Sequence, residues 1–172
     1  MILVAIGANL PGPNGATPLQ TCRAVVSQLA QIAELQLHSV SYWYATEPVP
    51  RSDQPNYVNG MVRLEHRPAA TIGPEALLRI LQAIEQRHGR QRAETNAART
   101  LDLDLIDMDG LVRAQPDPIL PHPRAHQRAF VLLPLLDVAP DWVHPRSGRT
   151  GAALLDETSR AGVRRIAGQD SA

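Results

Sequence analysis

"RTLDLDLID", Arg99 to Asp107, puts leucine at positions 101, 103 and 105 and aspartate at positions 102 and 104. With a side-chain period of two, the leucines share one face of a strand while Asp102 and Asp104 share the other. Upstream, Pro74 opens a helix whose apolar stripe is Leu77, Leu78, Leu81 and Ile84, and Gly89 is placed to end it. Downstream, Asp109-Gly110 is a hairpin turn signal, so the chain is expected to double back through Leu111 and Val112. Further out, Val40 to Ala45 and Tyr57 to Leu64 read as strands joined by a loop containing Pro48, Pro50 and Pro55. Thr17-Pro18-Leu19-Gln20 combines an N-cap, a proline at the first helical position and a capping-box glutamine. A stripe of Leu19, Cys22, Val25, Val26, Leu29 and Ile32 follows at helical spacing. Ile2 to Ile6 is a continuous apolar run stopped by Gly7, the pattern of a central strand. The order strand, helix, strand, strand, helix, strand predicts an α+β fold, a ferredoxin-like βαββαβ sandwich with an appended hairpin and a C-terminal helical segment.

At 172 residues and 44% apolar composition the chain can bury one good-sized core, so residues 1–172 are read as a single domain, with a tail from about residue 151 that carries no signal. Formal net charge is zero, which leaves no global field to draw the protein to nucleic acid or an anionic membrane. All 17 basic residues are arginine, and the absence of lysine excludes a P-loop. The sole cysteine, Cys22, lies among helix-core positions, which argues against a disulfide framework and suits a reducing compartment. The N-terminal run has no basic flank and too few apolar residues for a signal sequence or a span, so a cytoplasmic protein is expected.

Residues two apart on a strand lie about 6.5–7 Å apart, so the Asp102 and Asp104 carboxylates can converge on hard cations between them. Two such cations would clamp a polyphosphate for in-line displacement. The alternative is a strand whose acidic face is simply solvated. Asp107 and Asp109 fall out of phase with the pair and are assigned to the turn. Arg90, Arg92 and Arg99 flank the short segment before the strand, offset nearby only by Glu94. One exposed arginine usually means an ion pair worth about 0–1 kcal/mol. Several beside a carboxylate pair suggest phosphate oxygens held by guanidinium forks opposite bound metal.

Four blocks, "AIGANL" (Ala5 to Leu10), "TEPVPRSDQPNYVN" (Thr46 to Asn59), "RTLDLD" (Arg99 to Asp104) and "PHPRAHQRAFVLLPL" (Pro121 to Leu135), occur in the order found in one enzyme family. The chain resembles the 6-hydroxymethyl-7,8-dihydropterin pyrophosphokinases of folate biosynthesis. The resemblance implies transfer of the β,γ-diphosphate of ATP to the pterin hydroxymethyl group, giving AMP and the pterin diphosphate. Asp102 and Asp104 match the ligands of two Mg²⁺ ions. Thr46, Val49, Tyr57, Asn59 and Phe130 match pterin-pocket positions, where Asn59 offers both donor and acceptor and Phe130 a stacking surface. Gln82 and Glu85, one helical turn apart, are expected to face the ATP together. Arg90, Arg92, Arg99, Thr100, His122 and Arg128 are expected around its phosphates and ribose, with Arg92 and Arg99 acting alongside the aspartates in the transfer. The other five histidines, with Cys22 and Trp142, read as packing.

One departure stands out. The family pattern before the aspartate strand carries a lid tryptophan and a further arginine, whereas this chain reads Thr95-Asn96-Ala97-Ala98 ahead of Arg99. The small residues from Ala93 to Ala98 suit a closing lid.

Two other classes share parts of this pattern. RNA-binding modules use ferredoxin-like sheets but stack bases on strand aromatics and carry basic faces, whereas here Ile2 to Ile6 and Leu101 to Leu105 have no aromatics and net charge is zero. Another metal-dependent phosphotransferase or nucleotidyltransferase on the same fold would keep the aspartates and arginines and lack the pterin pocket. The expected partners are ATP and the hydroxymethyl-dihydropterin alone, bound by a monomer with no nucleic acid and no membrane.

Overall fold

A computed structural model describes residues 1–48, 53–89 and 98–167. The elements are β1 (Ile2–Ala8), α1 (Pro18–Leu29), β2 (Leu35–Val40), β3 (Tyr44–Thr46), β4 (Tyr57–His66), α2 (Pro74–Arg87), β5 (Asp102–Met108), α3 (Ala129–Val138), α4 (Gly151–Asp156) and β6 (Val163–Arg165). The six strands form one antiparallel sheet in the order β5-β1-β4-β3-β6, with β2 also pairing β4, so the fold is mixed α/β with four helices.

The apolar run of β1 is explained by its place between β4 and β5 with both faces covered. Ile2, Val4 and Ile6 pack with Leu103 and Leu105 of β5 against Cys22, Val25 and Leu29 of α1 and Leu77, Leu81 and Ile84 of α2. On the opposite face, Leu3, Met61 and Ile106 pack against Leu132 and Leu135 of α3 and Leu154 and Leu155 of α4. The expected capping box starts α1. Thr17 Oγ1 accepts from the Gln20 amide at 3.3 Å, and Gln20 Oε1 accepts from the Thr17 amide at 2.8 Å. Gly89, at φ +81°, follows α2 as the sequence predicts.

The expected strand from Val40 to Ala45 is two strands. Ser41 bonds Met61 twice, its amide donating to the Met61 carbonyl at 2.9 Å and its hydroxyl accepting from the Met61 amide at 2.8 Å. Between Val40 and Tyr44 the chain passes three residues against two of β4 before β3 pairs with Tyr57–Asn59. Trp43 turns inward at this break and lies flat on Gly60, where any Cβ would sit 2.5 Å from its ring.

The appended hairpin is corrected as well. Asp109-Gly110 does turn the chain, with φ +55° and +69°, but Leu111 and Val112 are exposed and pair with no strand. Two apolar residues ahead of a proline-rich stretch bury too little surface to extend the sheet. The chain instead closes on itself between Arg113 and Leu120, and the His122 amide then donates to the Ile106 carbonyl at 2.8 Å. That bond brings the Pro121–Arg128 segment to the outer side of β5.

Asp107 is also not out of phase with Asp102 and Asp104 as the sequence predicts. The register of β5 on β1 slips between Leu3 and Val4, leaving Ile106 as the extra residue of a bulge. Alternation is thereby reset, and Asp107, opposite Leu3, shares a face with Asp104 (opposite Ala5) and Asp102 (opposite Gly7). No helix among the described residues is long and apolar enough to cross a membrane.

Candidate active site

The second face of the sheet is covered by α3 and α4 at one end only. At the other end it opens into a cavity of about 730 Å³, with Asp102, Asp104, Asn59 and Gly7 among its lining residues. Gly7 is the floor. A Cβ there would stand 3.0 Å from Asn59 Oδ1 and 4.0 Å from Asp102 Cβ, closing the space between them.

Charge is unevenly distributed around this floor. Arg99 Nη1 lies 2.5 Å from Asp102 Oδ1, in a pair about one-quarter exposed on each side. Asp104 is held above the ordinary carboxylate range, first by burial and then by the charge of Asp102, with His122, Arg99 and Arg128 acting in the opposite sense. Burial lowers His122 against the pull of Asp104, keeping the imidazole neutral near pH 7. The Arg124 amide donates to His122 Nδ1 at 3.3 Å, which assigns the ring proton to Nε2. Burial and the neighbouring Arg124 also lower Arg128, whose guanidinium sits 5.5 Å from the centre of the Phe130 ring.

The other wall is less charged. Thr46 on β3 is buried and its hydroxyl accepts from Asn59 Nδ2 on β4. Tyr57, two residues from Asn59 on the same strand face, donates its hydroxyl to Gln54 Oε1 at 3.3 Å. Phe130, at the start of α3, also lines the cavity. A hydrogen-bonding amide and two aromatic rings suit a flat, polar-edged heterocycle.

Residues 3–140 match the sequence profile of the family described as 7,8-dihydro-6-hydroxymethylpterin-pyrophosphokinase (HPPK). The chain belongs to this family. A 2-amino-4-hydroxy-6-hydroxymethyldihydropteridine pyrophosphokinase of Synechocystis is 38% identical over 161 residues, which cover 94% of this chain and 77% of that protein. The Pseudomonas aeruginosa protein of the same name is 36% identical over 167 residues, 97% of each chain. Among solved structures, a Plasmodium falciparum HPPK-DHPS with pterin and p-hydroxybenzoate superposes with a TM-score of 0.71 at 11% identity. It covers 96% of this chain and 46% of that one, so this HPPK chain spans about half the length of that fusion.

Of the residues singled out from the sequence, the fold gathers Thr46, Tyr57, Asn59, Arg99, Asp102, Asp104, His122, Arg128 and Phe130 around one cavity. Val49, Arg90 and Arg92, with the expected lid up to Ala97, lie outside the described residues. Thr100 does not line the cavity, and its buried Oγ1 has no hydrogen-bond partner. Gln82 and Glu85 do not line this cavity. Gln82 is exposed, whereas Glu85 is buried and accepts from the Leu103 amide at 2.7 Å. The outer edge of β5 offers an unpaired amide there, and Glu85 satisfies it.

Five contributors to the site carry no local signal in the sequence strong enough to single them out. Asn9, 1% exposed, accepts from the Arg99 amide at 2.8 Å and donates to Gln54 Oε1 at 3.3 Å and the Pro55 carbonyl at 3.1 Å. It ties the loop before Tyr57 to the segment before Asp102, and a polar residue closing a buried strand was its one legible sign. Ser159, Ala161 and Val163 line the cavity because β6 pairs with β3 beside Thr46. Arg124 lines it as well.

Proposed function

We infer that residues 1–172 form a single pyrophosphokinase domain, a cytoplasmic monomer that transfers the β,γ-diphosphate of ATP to the hydroxymethyl group of 6-hydroxymethyl-7,8-dihydropterin, releasing AMP. Family membership supports the activity. The observation that carries the assignment of residues is the meeting of two chemistries in one cavity, with Asp102, Asp104, Arg99, His122 and Arg128 on one side and Thr46, Asn59, Tyr57 and Phe130 on the other.

Tyr57 and Phe130 offer surfaces for the pterin ring, and the Asn59 amide, steadied by Thr46, offers its edge a donor and an acceptor. Asp102 and Asp104 fit hard cations, since two adjacent, partly buried carboxylates repel each other and are only partly offset by Arg99. They would hold two Mg²⁺ ions, which when bound neutralise the triphosphate and polarise the attacking hydroxyl. Arg99 and Arg128 are placed to donate to phosphate oxygens, and neutral His122 to donate through Nε2 without adding charge. Arg90, Arg92 and Val49 complete the proposed set by resemblance. Glu85 supports β5 from behind, and Gln82 and Thr100 remain nucleotide contacts only by resemblance.

For the fold, the order β5-β1-β4 with β2 beyond, all antiparallel, and α1 and α2 on one face support reading residues up to Met108 as a ferredoxin-like βαββαβ unit.

The test is AMP production from ATP and Mg²⁺ with and without added 6-hydroxymethyl-7,8-dihydropterin. Strict pterin dependence with equimolar pterin diphosphate is expected. AMP or ADP formed equally without pterin would identify a different phosphotransferase or a hydrolase.

A further inference from the structure

The Pro121–Arg128 segment brings four cationic or hydrogen-bonding side chains to the cavity, His122, Arg124, Gln127 and Arg128, and the guanidinium of Arg124 is not among the groups assigned to the substrates above. Its guanidinium belongs to an exposed residue on the cavity wall, while Arg128 is half-buried. Among the described residues no carboxylate forms an ion pair with Arg124, unlike Arg99, which is held by Asp102. Its charge acts unfavourably on both neighbours, lowering His122 and Arg128. A like charge beside a half-buried arginine costs free energy in the empty cavity, and a polyanion lying between the two guanidiniums reverses the sign.

We propose that Arg124 is a phosphate-binding residue at the mouth of the cavity, contacting the nucleotide's triphosphate on the solvent side of Arg128. This rests on the pyrophosphokinase reading for the identity of the ligand. The backbone and side chain of Arg124 then serve the same end. The amide sets the His122 tautomer, and the guanidinium neutralises phosphate charge beside it. At the rim the charge also speeds capture of the incoming anion.

The experiment is calorimetric titration of wild type, Arg124→Ala, Arg124→Gln and Arg124→Lys with Mg²⁺ and α,β-methylene ATP, and separately with AMP, at two salt concentrations. The exposed side chain forms no hydrogen bond within the described structure, so the melting temperature is expected to be unchanged. Arg124→Ala and Arg124→Gln should weaken the triphosphate analogue about tenfold, with a shallower salt dependence. AMP affinity should change far less, and Arg124→Lys should recover part of the loss. An unchanged affinity for the analogue in both neutral variants overturns the proposal while leaving the pyrophosphokinase reading intact, as does an equal loss for AMP and the analogue. A wild-type protein that does not bind the analogue at all overturns both.

Discussion

Asp104 and Asp107 stand three residues apart on β5 and, through the bulge at Ile106, on the same face of the sheet, yet they do opposite things. Asp107 is 1% exposed and fully engaged, accepting from Trp142 Nε1 at 2.7 Å and from the Gly110 amide at 2.9 Å. Asp104 is only partly buried, facing the cavity and the charge of Asp102, and the burial it does have raises it. The same acid is a structural anchor where α3 and the Trp142 segment cover the sheet, and faces an open cavity beside a second carboxylate where they stop. What lies over the strand decides the role, more than the residue type.

The largest test of this contrast is Asp104→Asn, expected to lower diphosphate transfer by at least about a thousandfold because an amide poorly replaces a charged oxygen ligand. Far-ultraviolet circular dichroism should remain close to wild type. Near-normal turnover at millimolar Mg²⁺ would make Asp104 a solvated strand residue after all. Its counterpart is Asp107→Ala, which strands the Trp142 and Gly110 donors and should destabilise the fold by about 1–3 kcal/mol in urea unfolding, with kcat largely kept. A loss of activity in the folded protein without loss of stability would erase the distinction between the two aspartates.

On the opposite wall, Phe130→Ala should weaken pterin binding by roughly 1–3 kcal/mol, judged from base stacking on aromatic side chains. Calorimetry showing no change would return Phe130 to the packing of α3.

The smallest effect is in pH dependence without Mg²⁺, where the two ends of the face should respond with opposite sign. His144, buried beneath the Trp142 segment and beside His126, is lowered from 6.5 by burial, so the unfolded chain takes up its proton first and stability is lost as pH falls below 6.5. Asp104 is raised from 3.8, so its unfavourable ionisation is relieved as pH falls through its folded value. Thermal unfolding in chelator across about pH 5 to 8 should show His144→Asn flattening the acid decline. Asp104→Asn should raise the melting temperature at neutral pH and lose that advantage in acid. Parallel pH profiles for wild type and both variants would contradict this.

Much of this was readable in the chain because local physics and global fold agree. The capping box of α1, the two-sided apolar run of β1 and the alternation in Leu101–Leu105 each follow from one residue period or one hydrogen-bonding rule. The rest shares a cause. The phase of Asp107 is set by a bulge that sequence alternation cannot reveal, and the bond of Glu85 to an edge amide of β5 is supplied by the tertiary fold. Asn9 and the residues around Ala161 reach the cavity through contacts some 45 to 117 positions away in sequence, beyond any local pattern.

The pairing of β6 with β3 has a consequence for the order in which the protein becomes competent. Asp102 and Asp104 leave the ribosome well before the residues that finish the wall beside Thr46, since the Glu47 amide bonds the Gly162 carbonyl at 3.1 Å and Val163 pairs with Thr46. Until Ser159 to Arg165 have been synthesised, β3 is a bare edge strand three residues long, able to recruit other chains, and the cavity lacks one side. A nascent chain stalled near α3 would therefore carry the acidic pair and much of the hydrophobic core while its pocket stayed open, so substrate binding should emerge only as the last strand docks.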